Sequence, residues 1–249
     1  METIIKQARE LGTSAGVILP RGWLNKQVSV TLLSPSTTEI AKDVFAILAE
    51  KGLSEEVKGI YLVGSYSRGD YDMDSDIDIL IITSKTNKLI IQDNYEIILV
   101  SEDNFSRGLS DNLNYLSMLK EITPIINKEL IAKYSNKKLE FNFKVALKEN
   151  EKIFKINRES VEICEETGKS MPDGIIYSIV LRLRELYIMK CLLTEKTYSK
   201  KEFIKIVGER VYSAYTRVKR NQKELNSVNP TEIKSLLHLS EKWLKDLKK

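Results

Sequence analysis

Gly64-Ser65-Tyr66-Ser67-Arg68-Gly69, with ten residues between Ser65 and the following Asp76-Ile77-Asp78-Ile79-Leu80, is the stretch that decides the fold. The apolar run before it, Ile60-Tyr61-Leu62-Val63, reads as a buried strand. The aspartates sit in a second apolar run that continues to Ile82. Strand side chains alternate between faces, so Asp76 and Asp78 point to the same side. Two carboxylates on one face repel, and burying them unpaired is costly. A divalent cation resolves the conflict, and Mg²⁺ is commonly held by one or two carboxylates plus substrate phosphates. The Gly64-Ser65 turn offers phosphates a close backbone approach, N–H donors and a hydroxyl.

At these residues the chain resembles the nucleotidyltransferase superfamily of DNA polymerase β type, most closely its minimal bacterial and archaeal members. Arg68 and Gly69 match the Gly-Ser-x-x-Arg-Gly form of that group. The resemblance implies two Mg²⁺ ions held with a triphosphate by Asp76 and Asp78, and a third carboxylate on a later strand. Glu96, in the strand-like run Tyr95–Val100, takes that place; Asp93 is its rival, but it lies in the turn Gln92-Asp93-Asn94, where an aspartate has a local reason to be. Gly64 and Ser65 would cradle phosphates with help from Arg68, and Glu96 would accept the acceptor's proton. ATP is the commonest donor among such enzymes. Between the two motif halves, Asp70, Asp72 and Asp74 read as a solvated acidic loop.

Upstream, Ser36 and Glu39 form a capping-box pattern that opens a helix with Ile40, Val44, Ile47 and Leu48 on one face; Gly52 stops it. Before Ser34-Pro35-Ser36, three short strands are expected at Ile4–Ala8, Val17–Leu19 and Gln27–Leu33. So little chain buries too little area to fold alone. Gly12, Ser14, Val17, Pro20, Trp23, Leu24, Val28 and Val30 give this segment a resemblance to the AbrB-like swapped hairpins. That resemblance implies a homodimer that interleaves two copies and a DNA contact through Lys6, Arg9, Arg21 and Lys26. A plain dimerisation appendage is the other reading.

From Asn112 the chain reads as helical almost throughout, with long helices over residues 138–167 and 172–193, shorter ones over 199–207 and 209–222, and a last one opened by Asn229-Pro230-Thr231-Glu232. This region resembles the helical modules that follow nucleotidyltransferase domains in small-molecule adenylyltransferases, and loosely the HEPN type. The Arg–His pair of HEPN ribonucleases is missing, because Lys234 occupies the nearest position before His238. Arg182 and Arg184 read as solvated or ion-paired, and Arg210, Arg217, Lys219, Arg220 and Lys223 as a solvated basic face.

The sum is an α+β chain: a small N-terminal β-hairpin module over residues 1–34, a mixed-sheet nucleotidyltransferase domain over 35–122, and an all-α domain over 123–249. Hydrophobic content of 42% and charged content of 30% across 249 residues are ordinary for a globular protein. No apolar run has the length of a membrane span, and Met1-Glu2-Thr3 opens no signal peptide, so no membrane partner is expected. Cys164 and Cys191 lie in apolar helical contexts and read as core thiols of a cytoplasmic protein. The net charge of +4 permits nucleic-acid contact without arguing for it. Three acceptor classes stay open for the transferase reading: a protein, an RNA, or a hydroxylated small molecule such as an aminoglycoside. The alternative is a DNA-binding regulator or antitoxin acting through the hairpin.

Overall fold

The computed structural model describes residues 4, 6, 8–32, 35–72, 75–137 and 141–248. The chain divides into two compact units, Met1–Ser36 and Thr37–Lys249. In the first, β1 (Arg9–Leu11) pairs antiparallel with β2 (Ser14–Gly16) across a two-residue turn that starts at Gly12, φ +59°. A positive φ is what such a tight hairpin needs. Arg21–Trp23 form one 3₁₀ turn after Pro20.

The three expected strands are not where the pattern put them. The hairpin lies between the first two, and the described parts of 4–8, 17–19 and 27–32 are not strands; Ile5, Gln7 and Leu33 lie outside the described residues. Alternation alone forms no strand without a neighbouring strand to bond. Within this unit Val28, Val30 and Leu32 have none, and they are 43%, 75% and 83% exposed.

The second unit opens with α1 (Thr37–Glu50), which buries Ile40, Val44, Ile47 and Leu48 as expected and stops at Gly52, φ +66°. A five-stranded sheet follows, built from β3 (Val57–Leu62), β4 (Ile77–Thr83), β5 (Lys88–Gln92), β6 (Tyr95–Ser101) and β7 (Thr123–Ile126). Its order is β5-β6-β4-β3-β7, with β4 and β6 parallel and every other pair antiparallel. Strand β7 departs from the expectation that the chain is helical here. Pro124 donates no ladder bond and sits in a short strand that pairs on one side only, as an edge allows. The other edge is β5, where Leu89 and Ile91 are 52% and 74% exposed.

Side-chain parity splits the sheet into two faces. Ile60, Leu62, Ile77, Ile79, Ile81, Ile97 and Leu99 pack with α1. Tyr61, Leu80, Ile82 and Val100 belong to the other cluster, which runs on through Phe105 into the C-terminal helices. Asp78 and Glu96 share the parity of Leu80 and Val100, so they are carried on the face turned toward those helices.

The remaining elements are α2 (Gly64–Arg68), α3 (Glu102–Gly108), α4 (Leu113–Glu121), α5 (Lys128–Ser135), α6 (Lys144–Glu166), α7 (Asp173–Leu193), α8 (Lys200–Val207), α9 (Glu209–Lys219) and α10 (Pro230–Leu247). Helix α6 starts later than expected; residues 138–140 lie outside the described residues. Helix α9 ends at Lys219 rather than Gln222. Ser199 caps α8, and Asn229 with Glu232 closes a capping box on α10. Arg217, read from sequence as solvated, instead pairs at 2.8 Å with the fully buried Asp173. Cys164 and Cys191 are free thiols. No helix among the described residues is long and apolar enough to cross a membrane.

Gly59 shows how tightly β3 is set. A Cβ there would lie 2.1 Å from the hydroxyl of Tyr61, whose fully buried ring is fixed by a 3.0 Å bond to the Asn127 carbonyl. Gly59→Ala is therefore expected to lower stability by roughly 1–3 kcal/mol in urea denaturation, with the fold kept. An unchanged midpoint would mean that Tyr61 is free to move.

Candidate active site

The expected Gly64-Ser65 turn is the first turn of the short helix α2, entered at Gly64 with φ +68°. The glycine has two reasons to be there. Left-handed backbone disfavours a side chain, and a Cβ would fall 1.9 Å from Oδ2 of Asp78. The space read from sequence as room for a phosphate is taken by that carboxylate. The Val63 N–H donates to the Asp78 carbonyl at 3.0 Å, so β3 and β4 are still tied where the two motif halves meet.

Glu121, at the end of α4, completes the turn. Its Oε1 accepts the Gly64 N–H at 3.0 Å, and its Oε2 accepts from Arg68 Nη1 at 2.6 Å. Arg68 also pairs with Asp70 at 3.1 Å, and its guanidinium lies 5.2 Å from the centre of the Tyr198 ring. Gly64 N–H and Arg68, both expected to face phosphate, thus have protein partners. Burial pushes the Glu121 carboxyl above the usual range, and Arg68 and the Gly64 N–H pull it back. Sequence reasoning missed Glu121. The one available signal was an acid in the last turn of a helix, where the dipole disfavours it.

In the parallel pair β4–β6, Asp78 stands in register with Glu96. Both are half-buried, while Asp76, just before β4, is exposed. Burial, then Glu96 and Asp76, push the Asp78 carboxyl up to about 6; Lys219 and Arg68 work against them. Asp93 lies exposed in the β5–β6 turn with φ +53°. Among the described residues no three His, Cys, Asp or Glu side chains are gathered closely enough to hold a metal ion by themselves. What the site offers is an oxygen-only set around Asp78 whose repulsion a hard cation would relieve. That chemistry fits Mg²⁺ completed by substrate phosphates.

These groups form one wall of a cavity of about 850 Å³, lined by Gly64, Ser65, Arg68, Asp76 and Asp78; Glu96 stands beside Asp78 outside the lining. The opposite wall comes from the C-terminal helices, with Arg184 of α7, Tyr198, Lys200, and Tyr212, Tyr215 and Lys219 of α9. The interval between the motif halves is not the solvated loop expected. Asp72 pairs with Lys200 at 2.7 Å and Arg220 at 3.6 Å, and Asp70 accepts the Lys200 backbone N–H at 3.2 Å. Burial raises the Asp72 carboxyl, but Lys200, Ser75 and Arg220 outweigh it and hold it below the ordinary value. Asp74 lies outside the described residues.

Residues 42–206 match the family model described as "Nucleotidyltransferase domain". A Methanocaldococcus jannaschii protein named "Putative protein adenylyltransferase" is 43% identical over 47 residues, which are 19% of this chain and 42% of that protein. The match thus spans less than half the length of that relative. A crystal structure of a nucleotidyltransferase-like protein from Exiguobacterium sibiricum aligns over 84% of this chain and 74% of its own, at 16% identity and a TM-score of 0.33.

The Asp78 environment has a stability signature. Its carboxyl ionises at about 6 in the native protein against 3.8 without the fold. The native state therefore holds the extra proton between those values, and stability falls as pH rises through that window. Above it, ionised Asp78 costs on the order of 2–3 kcal/mol. Asp78→Asn is expected to stabilise the metal-free protein by about 2 kcal/mol near pH 7.5 and hardly at all near pH 4, read from urea denaturation at both. A gain independent of pH would place its origin elsewhere.

Proposed function

The chain belongs to the nucleotidyltransferase-domain family, and from that premise we propose that it moves a nucleoside monophosphate, AMP from ATP, onto an acceptor hydroxyl. The observation that carries this reading is Asp78, which lines a cavity of about 850 Å³ against the Gly64-Ser65 turn and has Glu96 in register beside it on β6. The protein adenylyltransferase name of the archaeal relative supports AMP as the group moved and a protein among the acceptors.

Asp76 and Asp78, with Glu96 beside them, would hold Mg²⁺. When bound, such an ion supplies charge neutralisation for the triphosphate and the departing pyrophosphate. Ser65 lines the cavity and offers its hydroxyl to a phosphate oxygen. With Gly64 N–H and Arg68 engaged by Glu121, those two groups shape the turn and leave the direct contact to Ser65. In the reaction the acceptor oxygen bonds to the α-phosphorus, the bond to the β-phosphate oxygen breaks, and pyrophosphate leaves. Glu96 is the carboxylate assigned to the acceptor's proton. The free thiols Cys164 and Cys191 fit a cytoplasmic setting.

The N-terminal unit supports a second proposal, that two copies meet through residues 1–36. Leu11, Leu24 and Leu32 are 70%, 66% and 83% exposed there, more apolar surface than so small a unit leaves open by choice. Lys6, Arg9, Arg21 and Lys26 are exposed on the same unit and are the groups a DNA-binding role would use.

Two experiments check these readings. Incubated with Mg²⁺, α-labelled ATP and cell extract, the intact protein is expected to label one acceptor species; Asp76→Asn with Asp78→Asn is expected to abolish the label in a folded protein. Full labelling by the double variant would sink the assignment. Removal of residues 1–36 is expected to give a monomer by light scattering that still transfers nucleotide. It should also lose any duplex affinity, which in the intact protein should fall steeply with salt. A truncated chain that stays dimeric would place the contact elsewhere.

A further inference from the structure

Asp78, Glu96 and Ile91 stand in register on three neighbouring strands, β4, β6 and β5. Residues paired across strands share a face, so one row runs from the cavity outward to the sheet edge. Leu89 follows on the same face, paired with Ile98. By parity these two, Leu89 and Ile91, are all that β5 contributes to that face. Both are exposed, while Ile98 beside them is partly buried against the core. The row lies where β4 and β6 begin and β5 ends. There the Ile77 N–H donates to the Asn94 carbonyl at 2.8 Å, which ties the β5–β6 turn to the start of β4.

The outer side of β5 bonds to no strand among the described residues. Its backbone N–H and C=O groups there are open to an extended chain. Sheet edges are commonly blunted by a proline or an inward charge. Strand β7 has Pro124, but the Asp78 face of β5 has neither. This chemistry discriminates among acceptors. RNA calls for a row of cations, and an aminoglycoside for several carboxylates. The rim offers two aliphatic side chains and an open edge, and a polypeptide matches both with alternating apolar residues and its own main chain. Glu96, assigned to the acceptor's proton, stands outside the cavity lining, on the side that faces this rim.

We propose that the acceptor is a protein, that an extended segment of it docks along β5 with apolar side chains on Leu89 and Ile91, and that a hydroxyl-bearing residue just beyond the paired stretch reaches Glu96. This rests on the nucleotidyl-transfer reading and narrows it. Nucleotide and acceptor then arrive from different sides: the nucleotide in the cavity between sheet and helices, the acceptor over the rim.

Labelling and docking are read separately. With Mg²⁺, α-labelled ATP and cell extract, the labelled species is expected to be destroyed by protease and to survive ribonuclease. Leu89→Thr with Ile91→Thr keeps strand-forming residues and adds no charge beside Glu96. It is expected to cut labelling at least about tenfold through lost apolar burial, and to leave the affinity of an ATP analogue with a methylene α–β bridge within about twofold. Ile91→Thr alone carries the test if the double variant melts below the assay temperature. Label on RNA or a small molecule would overturn the proposal, as would undiminished labelling by the variants or an equal loss of analogue affinity. So would a dimer that the double variant turns into monomer with labelling intact, since the rim would then be a contact between copies. A short fluorescent peptide alternating valine and threonine is the second probe. Its anisotropy is expected to report binding that weakens in the double variant and vanishes when alternate peptide amides are N-methylated. Peptide binding that is absent, or indifferent to the variant, would overturn the docking. If the intact protein labels nothing and fails to bind the analogue, the transferase reading falls, and the peptide titration still decides whether β5 takes an added strand.

Discussion

The carboxylate of Asp78 occupies the volume that a side chain at position 64 would fill, and most of the site follows from that contact. It requires glycine at the start of α2, and the left-handed backbone at Gly64 turns the chain away from the sheet. It also sets the β4 carboxylate against that turn, with Glu96 of β6 in register beside it. Burial at this contact, followed by the nearby Glu96 and Asp76, is what pushes the Asp78 carboxyl up. Geometry and electrostatics at this point are one constraint, set by the absence of a single methyl group.

The helical region closes the site through charge as well as apolar packing. Glu121 fixes Gly64 and Arg68 from α4, and Lys200 and Arg220 fix the acidic interval from the far wall. One apolar cluster runs from Tyr61 and Leu80 on the sheet to Trp243 on α10. The cavity is therefore bordered by elements that share a core. The spacing of its walls is set by packing that no loop closure has to supply.

Much of this was legible in the chain. The strand-turn-strand reading around Gly64 and Asp78, the α1 face, the α10 cap and the pairing of Asp78 with a carboxylate at Glu96 all follow from short-range rules of parity, capping and turn chemistry. Residues whose role depends on distant partners were not legible. Glu121 is 57 positions from Gly64, and Lys200 is 128 from Asp72. Nothing local marks Asp72 as paired or Arg217 as the partner of a buried Asp173. The N-terminal strands were misplaced for a related reason: alternation in Gln27–Leu33 specifies a face, but a strand also needs a neighbour, and the unit supplies none there. Strand β7 was overlooked because Pro124 reads as a breaker until one sees that its missing donor falls on a sheet edge.

The two rims of that sheet are unequally protected. The β7 side is four residues long and carries a proline, so it offers an incoming strand few bonding sites. The β5 side is longer, ends a tight hairpin and displays Leu89 and Ile91, with Lys88 as its only basic residue. Self-association of concentrated or partly unfolded protein would thus start along β5. Of the two rims, the one farthest in strand order from Pro124 is the one left open to an added strand, and Leu89 and Ile91 are the side chains such a strand would meet.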